Sequence, residues 1–322
     1  MPDIRPLDFE RDYLELKAKL EELKDIAEQK NIDLAEEISS LESKVARLKE
    51  ERYQNLTPWQ KYQIARHPNR PTTLDYIGAI FTDFIELHGD RCFGEDPAIV
   101  GGLARFEGLP VTVVGHQRGK DTNENLMRNF GCPHPEGYRK AQRLMRQAEK
   151  FGRPVICFID TQGAFPGIEA EQRGQGWAIS QTIMQMASLK VPCISVVIGE
   201  GGSGGALALG VADRVLMLSY SVYSVISPEG CASILWNDAS RAEEMARYLK
   251  MTAPDLAAMG VIDEIVPEPL EGAHRDNEGT FEVVKSRLRL HLRELMEKNP
   301  QELVHMRYRR LRKIGVFSED EM

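Results

Sequence analysis

Cysteine is scarce and scattered in this chain. Of 322 residues, five are cysteine: Cys92, Cys132, Cys157, Cys193 and Cys231. No C-x-x-C pair and no Cys/His cluster brings two of them together. That argues against a disulfide scaffold and a structural zinc site, and it points to a reducing cytoplasm. Cys157 and Cys193 lie inside apolar runs and read as inert core residues. Positive charge is also short. The 41 Lys and Arg against 49 Asp and Glu leave a net charge of −8, so a nucleic-acid binder is not the default reading. No apolar run approaches the ~18 residues of a membrane span. The polar, acidic start, Met1 to Asp12, has no signal-peptide character. What remains, 42% hydrophobic and 28% charged residues, is ordinary for a globular chain. The length suits one large core or two modest domains.

Glycine is not scarce where it matters. Val191 to Ile198 is a β-branched apolar run that reads as a buried strand. It leads into Gly199-Glu200-Gly201-Gly202-Ser203-Gly204-Gly205, and Ala206 to Val211 then reads as a short helix. A strand thus delivers a glycine loop to a helix N-terminus, where backbone N–H groups lack partners. Glycine lets a ligand approach that backbone closely. The pattern suits an oxyanion or a phosphate held by main-chain donors.

The loop matches three short motifs, and none is decisive alone. Gly199-x-Gly201-x-x-Gly204 resembles a dinucleotide fingerprint. Yet the helix is short, and the next apolar run, Val215 to Leu218, ends in Ser219-Tyr220 with no acid to hold a ribose. Gly201-x-Ser203-x-Gly205 resembles a nucleophile elbow. The later histidines, His274, His291 and His305, fall in a polar loop and in Arg-rich helical segments, which suits a triad poorly. The third reading is a backbone oxyanion hole at Gly204-Gly205-Ala206.

A second loop favours that third reading. Pro154 to Ile159 is another buried strand, ending in Asp160-Thr161-Gln162-Gly163-Ala164-Phe165-Pro166-Gly167, with a long helix expected over Ile168 to Leu189. Two strand–glycine-loop–helix units in tandem place two clusters of amides at one edge of a sheet. One carbonyl oxygen can be held between them.

The rest of the chain frames this pair. Leu16, Leu20, Leu23 and Ala27 make one seam, and Leu34, Ile38, Leu41, Val45 and Leu48 a second, spaced as in a coiled coil. Asn31-Ile32-Asp33 turns between them, with Asp33 and Glu36 as a capping box. Such a helical hairpin, residues 1–60, suits assembly. Pro68-Asn69-Arg70-Pro71 breaks the chain. Thr72 to His88 reads as a helix closed by Gly89. Ala98 to Phe106 and Leu109 to His116 read as a β-hairpin. Gly119 to Pro135 reads as a long polar loop whose neighbouring Arg118, with Lys120 and Arg128, can meet an anion. A helix over Glu136 to Phe151 and a strand over Asp213 to Leu218 follow. Ser227 caps a helix with Pro228 at its first position, and Glu229 in that first turn compensates the dipole. Ala253 to Gly260 and Val261 to Val266 read as a last helix and strand. Residues 280–314 are amphipathic and Arg-rich, interrupted at Asn299-Pro300, and read as helices packed on the domain or on a partner.

The DTQGAFPG loop, Glu169 to Gln175 after it, and GEGGSGGALALGVADRV together resemble the carboxyltransferases of biotin-dependent carboxylases. Pro58-Trp59-Gln60, Ala65 to Pro71 (ARHPNRP), Gly131 to Arg139 (GCPHPEGYR) and Ser227 to Cys231 (SPEGC) narrow the resemblance. They point to the alpha-subunit family of bacterial acetyl-CoA carboxylase carboxyltransferases. The resemblance spans nearly the whole chain. It implies an α/β, crotonase-like fold of ββα units wound into a superhelix, over residues 61–279. An N-terminal helical hairpin precedes it, and C-terminal helices occupy residues 280–322.

It also implies a reaction: transfer of the carboxyl group from carboxybiotin to acetyl-CoA, giving malonyl-CoA for fatty acid synthesis in the cytoplasm. The expected catalytic residues are Gly204 and Gly205, whose amides form an oxyanion hole for the biotin ureido oxygen. Ala206, Gly163, Ala164, Gln162 and Phe165 are expected to line the substrate. No general base is needed from this chain, because the released biotin nitrogen can take the methyl proton. The implied partners are a carboxyltransferase beta subunit, in an α2β2 complex, with biotin carboxyl carrier protein and biotin carboxylase. No metal is expected here; zinc is expected only in the beta subunit. The other readings are a crotonase-type hydratase or isomerase, using Glu200, Glu169 or Glu171 as its acids, and a non-catalytic scaffold of the same fold.

Overall fold

The computed structural model describes residues 6–30 and 32–315. Its centre is one mixed sheet, in the order β1-β2-β3-β4-β5-β6-β8, with β7 added beside β5. The strands are β1 (Thr82–Glu86), β2 (Ile99–Phe106), β3 (Leu109–His116), β4 (Val155–Thr161), β5 (Cys193–Gly202), β6 (Arg214–Leu218), β7 (Val222–Ser224) and β8 (Glu264–Val266). The first three pair antiparallel. From β3 onward every pairing is parallel. A parallel strand covered on both faces needs apolar residues throughout, and β4 and β5 are buried at every position. Side chains alternate faces along β4. Val155, Cys157 and Ile159 join one core, while Ile156 and Phe158 join the other, as the two-residue period of a strand requires.

Helices cover both faces. Those before the glycine loops are α1 (Arg11–Lys30), α2 (Ala35–Gln54), α3 (Pro58–Ala65), α4 (Thr73–Ile80), α5 (Thr122–Met127) and α6 (Pro135–Lys150). Between and after them come α7 (Ile168–Gln172), α8 (Gln175–Ser188), α9 (Ser203–Leu207), α10 (Pro228–Trp236), α11 (Ala242–Ala246) and α12 (Ala253–Ala258). The chain closes with α13 (Asn277–Met296) and α14 (Pro300–Arg312). Residues of α6, α8, α9 and α12 fill the first core; residues of α4 and α13 fill the second. Ser227 caps α10 by accepting from the Gly230 amide, with Pro228 at the first position as expected.

The sequence expectations differ from this structure at definable places. The helix expected over Thr72 to His88 stops at Ile80. Phe81 is extended, and Thr82–Glu86 pairs with β2 instead. Cross-strand pairing overrides local helix propensity there. The long helix expected over Ile168 to Leu189 is broken at Gly174, whose φ of +81° ends α7 and starts α8. The polar loop Gly119 to Pro135 contains α5 and a 3-10 turn, Asn129–Gly131. β5 does not stop at Ile198. It runs through the glycines, because Glu200, Gly201 and Gly202 pair with β7. The short helix therefore begins at Ser203 rather than Ala206 and ends at Leu207 rather than Val211. The last strand is shorter than Val261 to Val266. Asp33 accepts from the Ala35 amide at 3.2 Å instead of forming a capping box with Glu36. Asn31 lies outside the described residues.

The terminal helices pack on the core. α1 and α2 meet through Tyr13, Leu20 and Val45, flanked by Leu16, Ile38, Leu41 and Leu48. The Tyr13 hydroxyl donates to Glu271 at 2.6 Å, which anchors this hairpin to the body, while the Tyr53 hydroxyl donates to Glu10 within the N-terminal segment. Several guanidiniums of the Arg-rich C-terminal helices bond other parts of the chain. Arg307 is fully buried and bonds Asp213 at 2.8 and 3.0 Å and the carbonyls of Met186 and Leu189 at 2.6 and 2.8 Å. Arg310 pairs with Asp263 and Arg289 with Glu107. No described helix is long and apolar enough to cross a membrane.

Candidate active site

β4 and β5 are parallel neighbours, Val155 opposite Cys193 and, after a shift of register past Ile159, Thr161 opposite Gly201. Their C-terminal ends therefore lie side by side, and so do the loops that leave them. A Cβ on Gly202 would stand 2.1 Å from the Gln162 carbonyl oxygen. One on Gly205 would stand 2.6 Å from the Ala164 nitrogen, 2.7 Å from the Gly163 carbonyl carbon and 2.8 Å from the Tyr138 hydroxyl. Residues with side chains cannot bring the loops this close. The two glycine loops are one structure.

The donors in this structure differ in availability. Ser203, Gly204 and Gly205 open α9, where the helical pattern offers their amides no carbonyl. Gly204 is half-buried, while Gly205 and Ala206 are buried. The Ala206 side chain belongs to the core, so it brings only its backbone to the site. The Gly163 amide donates to Thr161 Oγ1 at 3.0 Å, and that hydroxyl donates back to the Gly163 carbonyl at 2.8 Å. Thr161 therefore locks the loop and claims that amide. Phe165 is half-buried and donates its amide to the Pro133 carbonyl. Gln162 is exposed and lines a small cavity with Arg66, Arg70, Arg118 and Phe130.

Buried acids beside the loops are all engaged. Asp160 accepts from the Glu200 amide at 2.9 Å and pairs with Arg118 at 2.8 Å. It thus ties the end of β4 to the first turn of the second loop. Glu200 takes both arms of Arg66, at 2.7 and 3.0 Å. Burial pushes its carboxyl up, and the Arg66 guanidinium pulls it back. Glu229 accepts from the Tyr62 hydroxyl at 2.8 Å and from Arg66 at 3.3 Å, so it does more than compensate a dipole. Arg118, Lys120 and Arg128, proposed from sequence as anion contacts, bond Asp160, Asp75 and the Pro97 carbonyl. Burial pushes the Cys132 thiol up to about 11, which keeps it protonated.

The competing motifs fare differently. Ser203 has φ +55°, as a nucleophile elbow would. The later histidines are committed elsewhere: His274 stacks on His67, His291 bonds Glu264, and His305 is exposed on α14. As for hydratase acids, Glu200 is held by Arg66, and Glu169 and Glu171 are exposed on α7. Sequence reasoning missed Asp160, Thr161, Arg66 and Tyr138. An acid closing a fully buried apolar strand was a readable signal for Asp160. Nothing local marked the others.

The fold of the solved neighbours and the family that the sequence matches together define a class, the crotonase-fold carboxyltransferases. The fold is similar to the transcarboxylase 12S core solved with methylmalonyl-coenzyme A (TM-score 0.55, 22% identity, 69% of this chain and 42% of that one). It is also similar to a chain of a Pseudomonas malonate decarboxylase hetero-tetramer solved with coenzyme A (TM-score 0.54, 18% identity, 66% and 85%). The family model for acetyl co-enzyme A carboxylase carboxyltransferase-like proteins matches residues 6–315. An acetyl-coenzyme A carboxylase carboxyl transferase subunit alpha from Anoxybacillus flavithermus is 58% identical over 98% of this chain and 97% of its own length. One from Listeria monocytogenes is 56% identical over 97% and 98%. This chain belongs to that alpha-subunit family, biotin-dependent carboxyl transferases that work as part of a multi-subunit enzyme.

Proposed function

We propose that this chain supplies the biotin-facing half of a carboxyltransferase site, and that a beta subunit of the same fold supplies the half that holds acetyl-CoA. One observation carries the reading. Two glycine loops lock together at Gly205 and Ala164, the Gly204 and Gly205 amides lie in the first turn of α9, and the buried acids Asp160 and Glu200 are held by Arg118 and Arg66. Such a site offers donors to an oxyanion and neither acid nor base to a substrate.

Carboxybiotin, carried by a biotin carboxyl carrier protein, supplies the carboxyl group and is left with negative charge on its ureido oxygen. The Gly204 and Gly205 amides donate to that oxygen, and fixed donors in a water-poor site act strongly there. Gly163, Ala164, Gln162 and Phe165 shape the wall opposite, with the Ala206 backbone behind. A cavity of about 300 Å³ beside Gly204 is lined by Leu207, Tyr223, Val225, Leu256 and Val261. Its apolar walls suit the hydrocarbon body of such a ligand. The partner chain supplies the donors for the second anion, on the acetyl-CoA thioester, and carries the zinc. Two alpha and two beta chains make the enzyme, with biotin carboxylase upstream. Residues 1–60 serve assembly, 61–279 the chemistry, and 280–322 brace the core. The complex works in the cytoplasm and makes malonyl-CoA.

Co-expression with the beta subunit tests this. The complex should carboxylate free biotin at the expense of malonyl-CoA, and this chain alone should not. Robust turnover by the isolated chain overturns the shared site. One zinc per chain in the isolated protein, by elemental analysis, overturns the placing of the metal.

A further inference from the structure

The segment Asn129–His134 reaches the first glycine loop from the side of α6. Its backbone is held in an unusual state, with successive positive φ values of 50°, 54° and 74° at Asn129, Phe130 and Gly131. Left-handed backbone at two non-glycine residues in a row persists only where the surroundings fix it. Here they fix one imidazole. Asn129 Nδ2 lies 3.3 Å from Asp96 Oδ1 and 3.1 Å from His134 Nδ1. Asp96 is buried and also accepts from the Ala98 and His134 amides, at 2.9 and 2.7 Å.

An ionised carboxylate only accepts, so the group that Asn129 turns to it is the NH₂. One hydrogen serves Asp96 and the other points at His134 Nδ1. That nitrogen therefore accepts, and the ring proton sits on Nε2, a tautomer assigned by the network. The ring itself stacks on Phe165, with centroids 4.1 Å apart and planes 22° apart. Gln175 donates to the carbonyls of both Pro133 and Phe165, at 2.8 and 3.0 Å, which clamps the two segments together. Nε2 has no acceptor among the described residues. Burial and then Arg173 hold the ring below the usual histidine range, against Glu136 and Glu169.

We propose that His134, fixed as its Nε2–H tautomer by Asn129 and Asp96, donates that hydrogen to an oxygen of the carboxyl group in transfer. It is then a side-chain donor that complements the Gly204 and Gly205 amides. The inference rests on the carboxyltransferase reading above. A neutral ring stabilises charge on that group without giving a proton to the carboxylated nitrogen.

Long-range ¹⁵N–¹H spectra of the full chain, with the His134 signals assigned by their loss in His134→Phe, read the tautomer without turnover. The expected pattern at pH 7.5 is protonated Nε2 and bare Nδ1, and Asn129→Ala should mix the two forms. In the complex with the beta subunit, His134→Phe keeps a ring on Phe165 and should lower kcat about 10- to 100-fold, the worth of a hydrogen bond to a charged group. KM for malonyl-CoA should change little, and His134→Gln, which retains an N–H donor, should recover part of the loss. An Nδ1–H tautomer, or full kcat in His134→Phe, overturns the proposal. Absence of turnover in the wild-type complex overturns the carboxyltransferase reading instead, and with it the acceptor named here.

Discussion

The Ala164 amide nitrogen stands 2.6 Å from the point where a Cβ on Gly205 would be. This approach is what joins the two loops. β4 and β5 run parallel and bring their C-terminal ends together, but only a residue without a side chain lets the α9 backbone settle against the neighbouring loop.

Gly205→Ala should therefore act on structure first. The new methyl group meets backbone rather than a yielding side chain, so the loops must separate. Overpacking of this kind costs about 1–3 kcal/mol. Thermal unfolding of the purified chain measures it, and an unchanged Tm would show that the contact is slack.

Ser203→Ala should leave carboxyl transfer within about threefold of wild type, because the hydroxyl has no part in the donor set and exposed polar changes cost little. A hydrolase would lose its activity with this substitution. Parallel assays of carboxyl transfer and esterase activity on the same variant separate the two outcomes.

Arg307→Ala should destabilise the chain by about 3–5 kcal/mol, since it strands a buried partner carboxylate. Asp213 would keep one backbone donor, the Cys193 amide at 2.8 Å, and lose both guanidinium bonds. Denaturant titration of wild type, Arg307→Ala and Arg307→Ala/Asp213→Asn checks this. The double variant should recover part of the loss.

Stability should fall with acid through buried histidines. Burial pushes the His116 ring, with the Gly205 and Phe158 backbone beside it, from 6.5 down to about 4. It pushes His274, stacked on His67, down to about 2. Each ring stays neutral in the folded chain while the unfolded chain binds a proton below 6.5, so the folded state loses ground as pH falls. Between pH 6.5 and 4, wild type should lose about 1.4 kcal/mol per pH unit more than His116→Gln. Urea titrations across that range read the difference.

The parts of this molecule that were legible in its sequence are those whose cause is local. β4 and β5 are unbroken apolar runs closed by glycine, and Ser227-Pro228 opens α10 by side-chain chemistry alone. β1 was not legible. Its Thr-Asp-Phe-Ile-Glu continues the periodicity of α4, and only pairing with β2 makes it a strand. The glycine loops announced an anion site, but the side chains that hold them did not announce themselves. Arg66 meets Glu200 across 134 residues of chain, and no spacing rule connects them. Asn129 and His134 were likewise hidden, because their roles come from Asp96 and Phe165, which the fold brings to them.

The central claim is that the Gly204 and Gly205 amides hold the oxyanion, and Gly204→Val tests it most directly. A Cβ there meets only the Ile179 side chain, at 3.7 Å, so the chain should fold and assemble with its beta subunit. The added branches would occupy the cavity beside the donors. The rate of malonyl-CoA-dependent biotin carboxylation by that complex should fall by about 10²–10³, the usual loss for one oxyanion donor. A folded, assembled Gly204→Val complex working at the wild-type rate would contradict the account.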